Sequence, residues 1–142
     1  MPNLVCLDAS FVVRMLESDT PDAPALRWWR RGHTQGWVFV APILLPFEVT
    51  NALYRYVRHD LATLEIAQAL IAQMLNLGIR LYADPGLHQE ALTLAHDLNL
   101  PVAYDAHYLV LARRLGGELW TADHRLAHAA GPLRSQVRVL EV

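Results

Sequence analysis

Residues 104–126 read YDAHYLVLARRLGGELWTADHRL, and this stretch decides the fold. Apolar positions at helical spacing run over Ala106–Leu115, and Gly116-Gly117 closes that helix. Leu119–Thr121 then reads as a strand, with a short helix over Arg125–Ala129 behind it. A helix, a glycine turn and a short apolar strand in succession are the building unit of an α/β domain round a parallel sheet. Each transition carries an acid: Asp105 opens the helix, and Asp123 follows the strand.

The same alternation continues on the N-terminal side. Leu4–Leu7 reads as a strand followed at once by a helix through Phe11–Leu16, and the segment from Pro21 to about Thr34 is helical with a mixed face. Trp37–Val40 is a second strand. Pro46 suits the first turn of a helix running to about Arg58, because its missing N–H would be unpaired there anyway. Leu61–Leu77 is a further helix with an apolar stripe of Leu64, Ala67, Ile71, Met74 and Leu75, stopped by Gly78. Ile79–Tyr82 is a short strand. In the helix after it Leu87, Ala91, Leu94, Ala95 and Leu98 share a face, and Val137–Leu140 is a last strand. No repeat, low-complexity tract or linker interrupts the pattern, so residues 1–142 form a single domain.

Composition narrows the classes. Apolar residues make up 54% of the 142 and charged residues 18%, the balance of a well-buried globule. The longest apolar run, Trp37 to Phe47, contains Pro42 and Pro46 and is too short to span a bilayer, so no membrane association is expected. The start MPNLVCLDAS lacks the cationic and long apolar segments of a secretory signal, and a lone Cys6 in an apolar run fits a reduced, cytoplasmic setting. All 12 basic residues other than histidine are arginine. The absence of lysine removes the phosphate-cradling P-loop and Schiff-base chemistry. With a net charge of −2, any nucleic-acid partner must be held by local arginines and metal ions.

Four acids recur where a strand or connection ends and a helix begins. Asp8 follows the first strand in CLDAS, Glu48 lies in the first turn of the helix in LLPFEVTNAL, and Asp105 and Asp123 stand in the stretch quoted above. Taken singly, each has an ordinary explanation, because acids favour helix N-termini as caps and as partners of the dipole. Their conjunction suggests more. In open parallel sheets ligands bind beyond the carboxyl ends of the strands. Acids gathered there would repel one another without a counter-charge, and an oxygen-rich set suits Mg²⁺ or Mn²⁺ better than Zn²⁺.

The order of these motifs, LDAS, then APILLPFEVTNAL, then YDAHYLVLARRLGGELWTADHRL, resembles the PIN-domain ribonucleases and in particular the VapC-type toxins. The resemblance spans roughly residues 3–140, and its last block is the most specific. It implies a PIN-like three-layer sandwich: a central parallel sheet of about five strands flanked by helices. It also implies that Asp8, Glu48, Asp105 and Asp123 bind one or two Mg²⁺ or Mn²⁺ ions, with Ser10 and Thr121 at hydroxyl positions lining the site. Asn51 lies one turn after Glu48 on the same helix face. The activity implied is endoribonucleolytic hydrolysis of RNA, the partners a cognate antitoxin and a second copy of the chain in a homodimer. The alternative is a catalytically degenerate PIN-like scaffold, which would have no need of the four acids. Two other acid-pocket classes fit less well: a response-regulator receiver wants a late lysine, and haloacid dehalogenase-type phosphatases want a DxD where this chain has Asp8-Ala9-Ser10.

Several substrate contacts are suggested more weakly. Arg27, Arg30 and Arg31 beside Trp28 and Trp29 could meet RNA phosphates while a ring stacks on a base; the competing reading is a solvated helix face with one tryptophan in the core. His124, one residue after Asp123, is a further candidate. The seven histidines are read as offering no i, i+4 pair such as an HExxH site would require. Cys6 reads as a buried small apolar residue. Tyr54–Leu75 could carry an apolar seam for a second chain, although core burial accounts for most of it.

Overall fold

A computed structural model of the chain describes residues 3–140. Five strands, β1 (Leu4–Leu7), β2 (Val38–Pro42), β3 (Arg80–Tyr82), β4 (Glu118–Thr121) and β5 (Val137–Val139), form one sheet in the order β3-β2-β1-β4-β5. Every pairing is parallel. The helices are α1 (Ala9–Leu16), α2 (Pro24–Thr34), α3 (Leu44–Arg58), α4 (Leu64–Leu75), α5 (Gly86–Leu98), α6 (Tyr104–Leu115) and α7 (His124–Ala129), with a 3₁₀ turn over Gly131–Gln136. Among the described residues no helix is long and apolar enough to cross a membrane.

The order of the strands creates the site. The chain passes from β1 outward to β2 and β3, then returns to lay β4 on the other side of β1. Connections reverse direction between β1 and β4, and the crevice at such a switch point is where open parallel sheets hold ligands. Asp8 directly follows β1, and Thr121 ends β4 with Asp123 two residues on.

Side chains on the strands alternate between faces. The Cys6 thiol donates to the Tyr108 carbonyl oxygen of α6 at 3.7 Å, so this face of β1 lies under α6, which in turn carries α5. Leu7 and its register partner Trp120 face the other way, where Trp120 meets Phe11 of α1 and Trp28 of α2. Trp28 also packs edge-on against Phe11, Trp37 and Phe39, and Trp29 stacks on Phe39 with ring centroids 4.0 Å apart. Both adjacent tryptophans are therefore in the core, where the sequence suggested one. Gly117 is the most closely approached of the glycines. It passes so close to β1 that a Cβ there would collide with the Leu4 carbonyl oxygen, a backbone group that cannot turn aside.

Several boundaries differ from the sequence reading. α2 begins at Pro24 rather than Pro21, and β2 runs over Val38–Pro42 rather than Trp37–Val40. α6 starts at Tyr104, ahead of Ala106. α4 starts at Leu64, because the Thr63 hydroxyl accepts from the Ile66 N–H and caps it there. The proposed stripe on α4 is only partly core: Ala67 and Met74 are buried, whereas Leu64 and Leu75 are exposed. Glu48 is the fifth residue of α3, since that helix begins at Leu44; it therefore sits beyond the first turn.

Candidate metal-dependent active site

One cavity of about 800 Å³ is lined by all four acids, Asp8, Glu48, Asp105 and Asp123. They arrive from four elements: the end of β1, the second turn of α3, the first turn of α6 and the turn after β4. The helix-cap explanation holds for two of them. The Asp8 carboxylate accepts from the Phe11 N–H at 2.9 Å and caps α1, and the Asp123 carboxylate accepts from the Arg125 N–H at 2.9 Å and caps α7. It fails for the others. Ala103 is the N-cap of α6, with no side-chain bond, and Glu48 lies past the helix start.

Asp8 is the most constrained. It is 4% exposed, and its carboxylate accepts from the Ser10 hydroxyl at 2.7 Å and from the Thr121 hydroxyl as well as from Phe11. Ser10 and Thr121 are themselves 3.1 Å apart. The Thr121 hydroxyl also accepts from the Asp123 N–H at 3.0 Å, and Ser10 accepts from the Ala122 N–H at 3.0 Å, which ties the ends of β1 and β4 into one polar cluster. Ser10 lines the cavity, whereas Thr121 is fully buried behind Asp8 and acts on the site through it.

Burial and mutual repulsion raise two of the carboxyls. Burial pushes the Asp8 carboxyl up to about 6 despite its three hydrogen bonds, with the charge of Asp105 adding to the shift. Asp105 is likewise pushed up to about 6, by burial first and then by the charges of Glu48 and Asp123. Arg125 opposes this, but its side chain is 94% exposed, so water screens most of its effect. A divalent cation would relieve the repulsion, and a set made wholly of carboxylates suits a hard ion. The chemistry of the donors therefore fits Mg²⁺ or Mn²⁺. As they stand, no three His, Cys, Asp or Glu side chains among the described residues close round a common point.

Glu48 has a support that the sequence reading missed. The Tyr108 hydroxyl of α6 donates to Glu48 Oε1 at 2.6 Å, and this tyrosine is otherwise buried in the core. Tyr108 follows Asp105 by three residues, so one helical turn delivers both a carboxylate and the hydroxyl that orients another. The i, i+3 spacing was the available signal. Tyr108→Phe keeps the ring and removes the donor. If the site has the activity argued below, it should lower kcat or metal affinity roughly tenfold while stability changes by about 1 kcal/mol or less. Metal titration of activity beside a thermal melt checks this; wild-type activity in the variant would show that Glu48 needs no such support.

The weaker substrate candidates fall elsewhere. Arg27, Arg30 and Arg31 are exposed on α2 and do not line this cavity. Trp28 and Trp29 are turned into the core, so neither is open to stack on a base, and Arg30 donates to the Pro21 carbonyl oxygen. His124 is exposed at the start of α7 and is also absent from the lining; His128 stands four residues on along the same helix, so an i, i+4 histidine pair exists after all, without the glutamate of HExxH. His107 points to α5, where its Nε2 is 3.1 Å from His88 Nδ1. Asn51 of α3 does line the cavity, and so do two arginines, Arg14 of α1 and Arg55 of α3.

Comparison with known proteins agrees with this architecture. The model of the PIN domain family matches residues 5–132. Ribonuclease VapC3 of Pyrobaculum aerophilum is 32% identical over 88 residues, which make up 59% of this chain and 65% of that relative. The chain thus spans just under two thirds of the length of the curated relative it matches. Among solved structures, PAE2754 from Pyrobaculum aerophilum superposes with a TM-score of 0.70 at 23% identity, covering 91% of this chain and 81% of that one. VapC20 of Mycobacterium tuberculosis, described as a sarcin-ricin loop cleaving toxin, gives 0.64 at 20% identity, covering 88% and 94%. At these identities the two structures bear on the fold alone.

Proposed function

Because this chain belongs to the PIN domain family, we propose that it is a divalent-metal-dependent endoribonuclease, the toxin of a toxin–antitoxin pair. The observation that carries this is the gathering of Asp8, Glu48, Asp105 and Asp123 round one cavity at the switch point of a parallel sheet. The likeness to ribonuclease VapC3 supports the choice of RNA as substrate. A scaffold would gain nothing from two carboxyls raised to about 6, each of which costs native stability at neutral pH.

In this reading Asp8, Asp105 and Asp123 hold Mg²⁺ or Mn²⁺, and Glu48 completes the set. The bound ion would supply Lewis-acid stabilisation of the phosphate and a lowered pKa for water. Ser10 and Thr121 fix both oxygens of Asp8, and Tyr108 fixes Glu48, so the carboxylates are oriented before substrate arrives. Held by Tyr108, Glu48 would complete the set or orient the attacking water. The partners proposed are a cognate antitoxin that shields the cavity and a second copy of the chain, in a cytoplasmic setting. Exposed Leu64 and Leu75 on α4 support the dimer, and sedimentation at micromolar concentration, where a monomer would exclude it, checks that assignment.

The decisive experiment is cleavage of RNA by the purified chain with Mg²⁺ or Mn²⁺ present and again after chelation. Internal cuts are expected with metal and none without it. Undiminished cleavage in excess chelator would overturn the metal-dependent reading, and Asp105→Asn run in parallel controls for contaminating nucleases.

A further inference from the structure

The acids occupy only part of the cavity wall. Arg14 in the last turn of α1 and Arg55 in the last turn of α3 also line it. At about 1.5 Å of rise per residue, they stand roughly 9 to 11 Å along their helices from Asp8 and Glu48. α1 and α3 pack against each other, and the charges of both arginines act on the hydroxyl of Tyr56, which donates to Glu17. The two guanidinium groups therefore serve one region. Among the described residues neither forms an ion pair, whereas Arg113, Arg114, Arg125 and Arg138 all do. Glu17 lies in the same wall without binding either of them.

Phe47 and Tyr104 complete the picture at the acidic part. Each immediately precedes an acid, Glu48 or Asp105, and each lines the cavity while being 70% and 56% exposed respectively. Large aromatic rings left open to water beside a phosphate-cleaving centre are platforms for bases, and only unpaired bases can reach them. In a duplex the bases face inward and present no ring surface.

We infer that along this cavity Arg14 and Arg55 hold a backbone phosphate of the RNA neighbouring the scissile one, while Phe47 and Tyr104 stack on its bases. The identity of the polymer rests on the ribonuclease reading; the division of the groove into a cutting part and a holding part rests on the residues just named. In a chain of net charge −2, this pair supplies the local attraction that composition demands and that α2 does not provide.

The test is binding rather than cleavage. In the Asp105→Asn chain with Mg²⁺, a short labelled single-stranded oligoribonucleotide is titrated at several salt concentrations and followed by fluorescence anisotropy. Arg14→Ala and Arg55→Ala should each weaken binding about tenfold and flatten the slope of log K against log salt by about 0.7. Phe47→Ala should weaken it about tenfold with the slope unchanged. Arg27→Ala on α2 should alter neither, and the fully paired form of the same sequence should bind about tenfold more weakly. Arg14→Lys and Arg55→Lys, which keep the charge and spare the fold, should recover the slope. Wild-type affinity and slope in both alanine variants, or equal affinity for the duplex, would overturn the groove. If the unaltered chain cuts no RNA yet binds it through these arginines, the ribonuclease reading alone falls. If it cuts RNA and both variants bind and cut equally well, only the groove falls.

Discussion

Asp105→Asn is expected to lower metal-dependent RNA cleavage by roughly a hundredfold or more while raising the melting temperature of the protein in chelator. The two effects have one cause. Asp105 caps nothing and sits against Glu48 and Asp123, which together with burial push its carboxyl up to about 6. Removing its charge relieves that repulsion in the metal-free fold. The gain should be on the order of 1 kcal/mol after allowance for the solvent that reaches this side chain, or about 3 °C in melting temperature for a domain of this size. Added Mg²⁺ should stabilise the unaltered protein by mass action, since it binds the folded site and not the unfolded chain. The variant should lose most of that response. Thermal melts of both proteins, with chelator and with Mg²⁺, make the comparison. Equal melting temperatures in chelator and an equal, negligible shift with metal would reduce Asp105 to a surface acid.

The second large effect is a dependence of metal-free stability on pH, carried by Asp8. Its carboxyl titrates near 3.8 in the unfolded chain and is pushed up to about 6 in the fold, mainly by burial. The native state therefore holds the proton more tightly. Stability from this group is fully present below about 4 and is lost as pH rises through about 6, a difference of about 3 kcal/mol at neutral pH. In chelator, the melting temperature of the unaltered protein should fall across that window relative to Asp8→Asn. Asparagine keeps an oxygen for the Phe11 N–H, so the cap survives and the difference between the two curves isolates the charge. With Mg²⁺ the loss at neutral pH should be recovered in the unaltered protein. A difference curve flat between pH 4 and 7 would mean that the folded site does not hold Asp8 as a strained acid.

Much of the site was legible because its residues sit at element junctions, and junctions are written locally. Asp8 after Leu4–Leu7 and Asp123 after the strand ending at Thr121 were visible as acids following apolar runs, and both cap helices as their type predicts. Glu48 was found, but with the wrong depth in its helix, because Pro46 marked the first turn without fixing whether it was the first or the third residue of α3. Arg27, Arg30 and Arg31 drew notice as a dense run of charge beside two aromatics. The fold turns both tryptophans inward and leaves those arginines away from the cavity. Arg14, the single charge of α1, and Arg55, scattered with Glu48 and Arg58 along α3, gave no such signal.

Periodicity and punctuation in the sequence determined which segments are helices and strands, that they alternate round a parallel sheet, and that an acid stands at three junctions with a fourth close behind a helix start. Those features depend on neighbours a few residues apart, and the chain carries them wherever it goes. The partners across the sheet were decided by tertiary structure alone. That β4 returns beside β1, that Thr121 reaches Asp8 and Tyr108 reaches Glu48, and that Arg14 and Arg55 share a wall with the acids are contacts between residues as far as 113 positions apart. Such contacts follow from burying the aromatic cluster of Phe11, Trp28, Phe39 and Trp120 on one face and Tyr108 on the other. Burial is non-directional and acts on the whole chain at once, so no local pattern records where it will bring two distant side chains together.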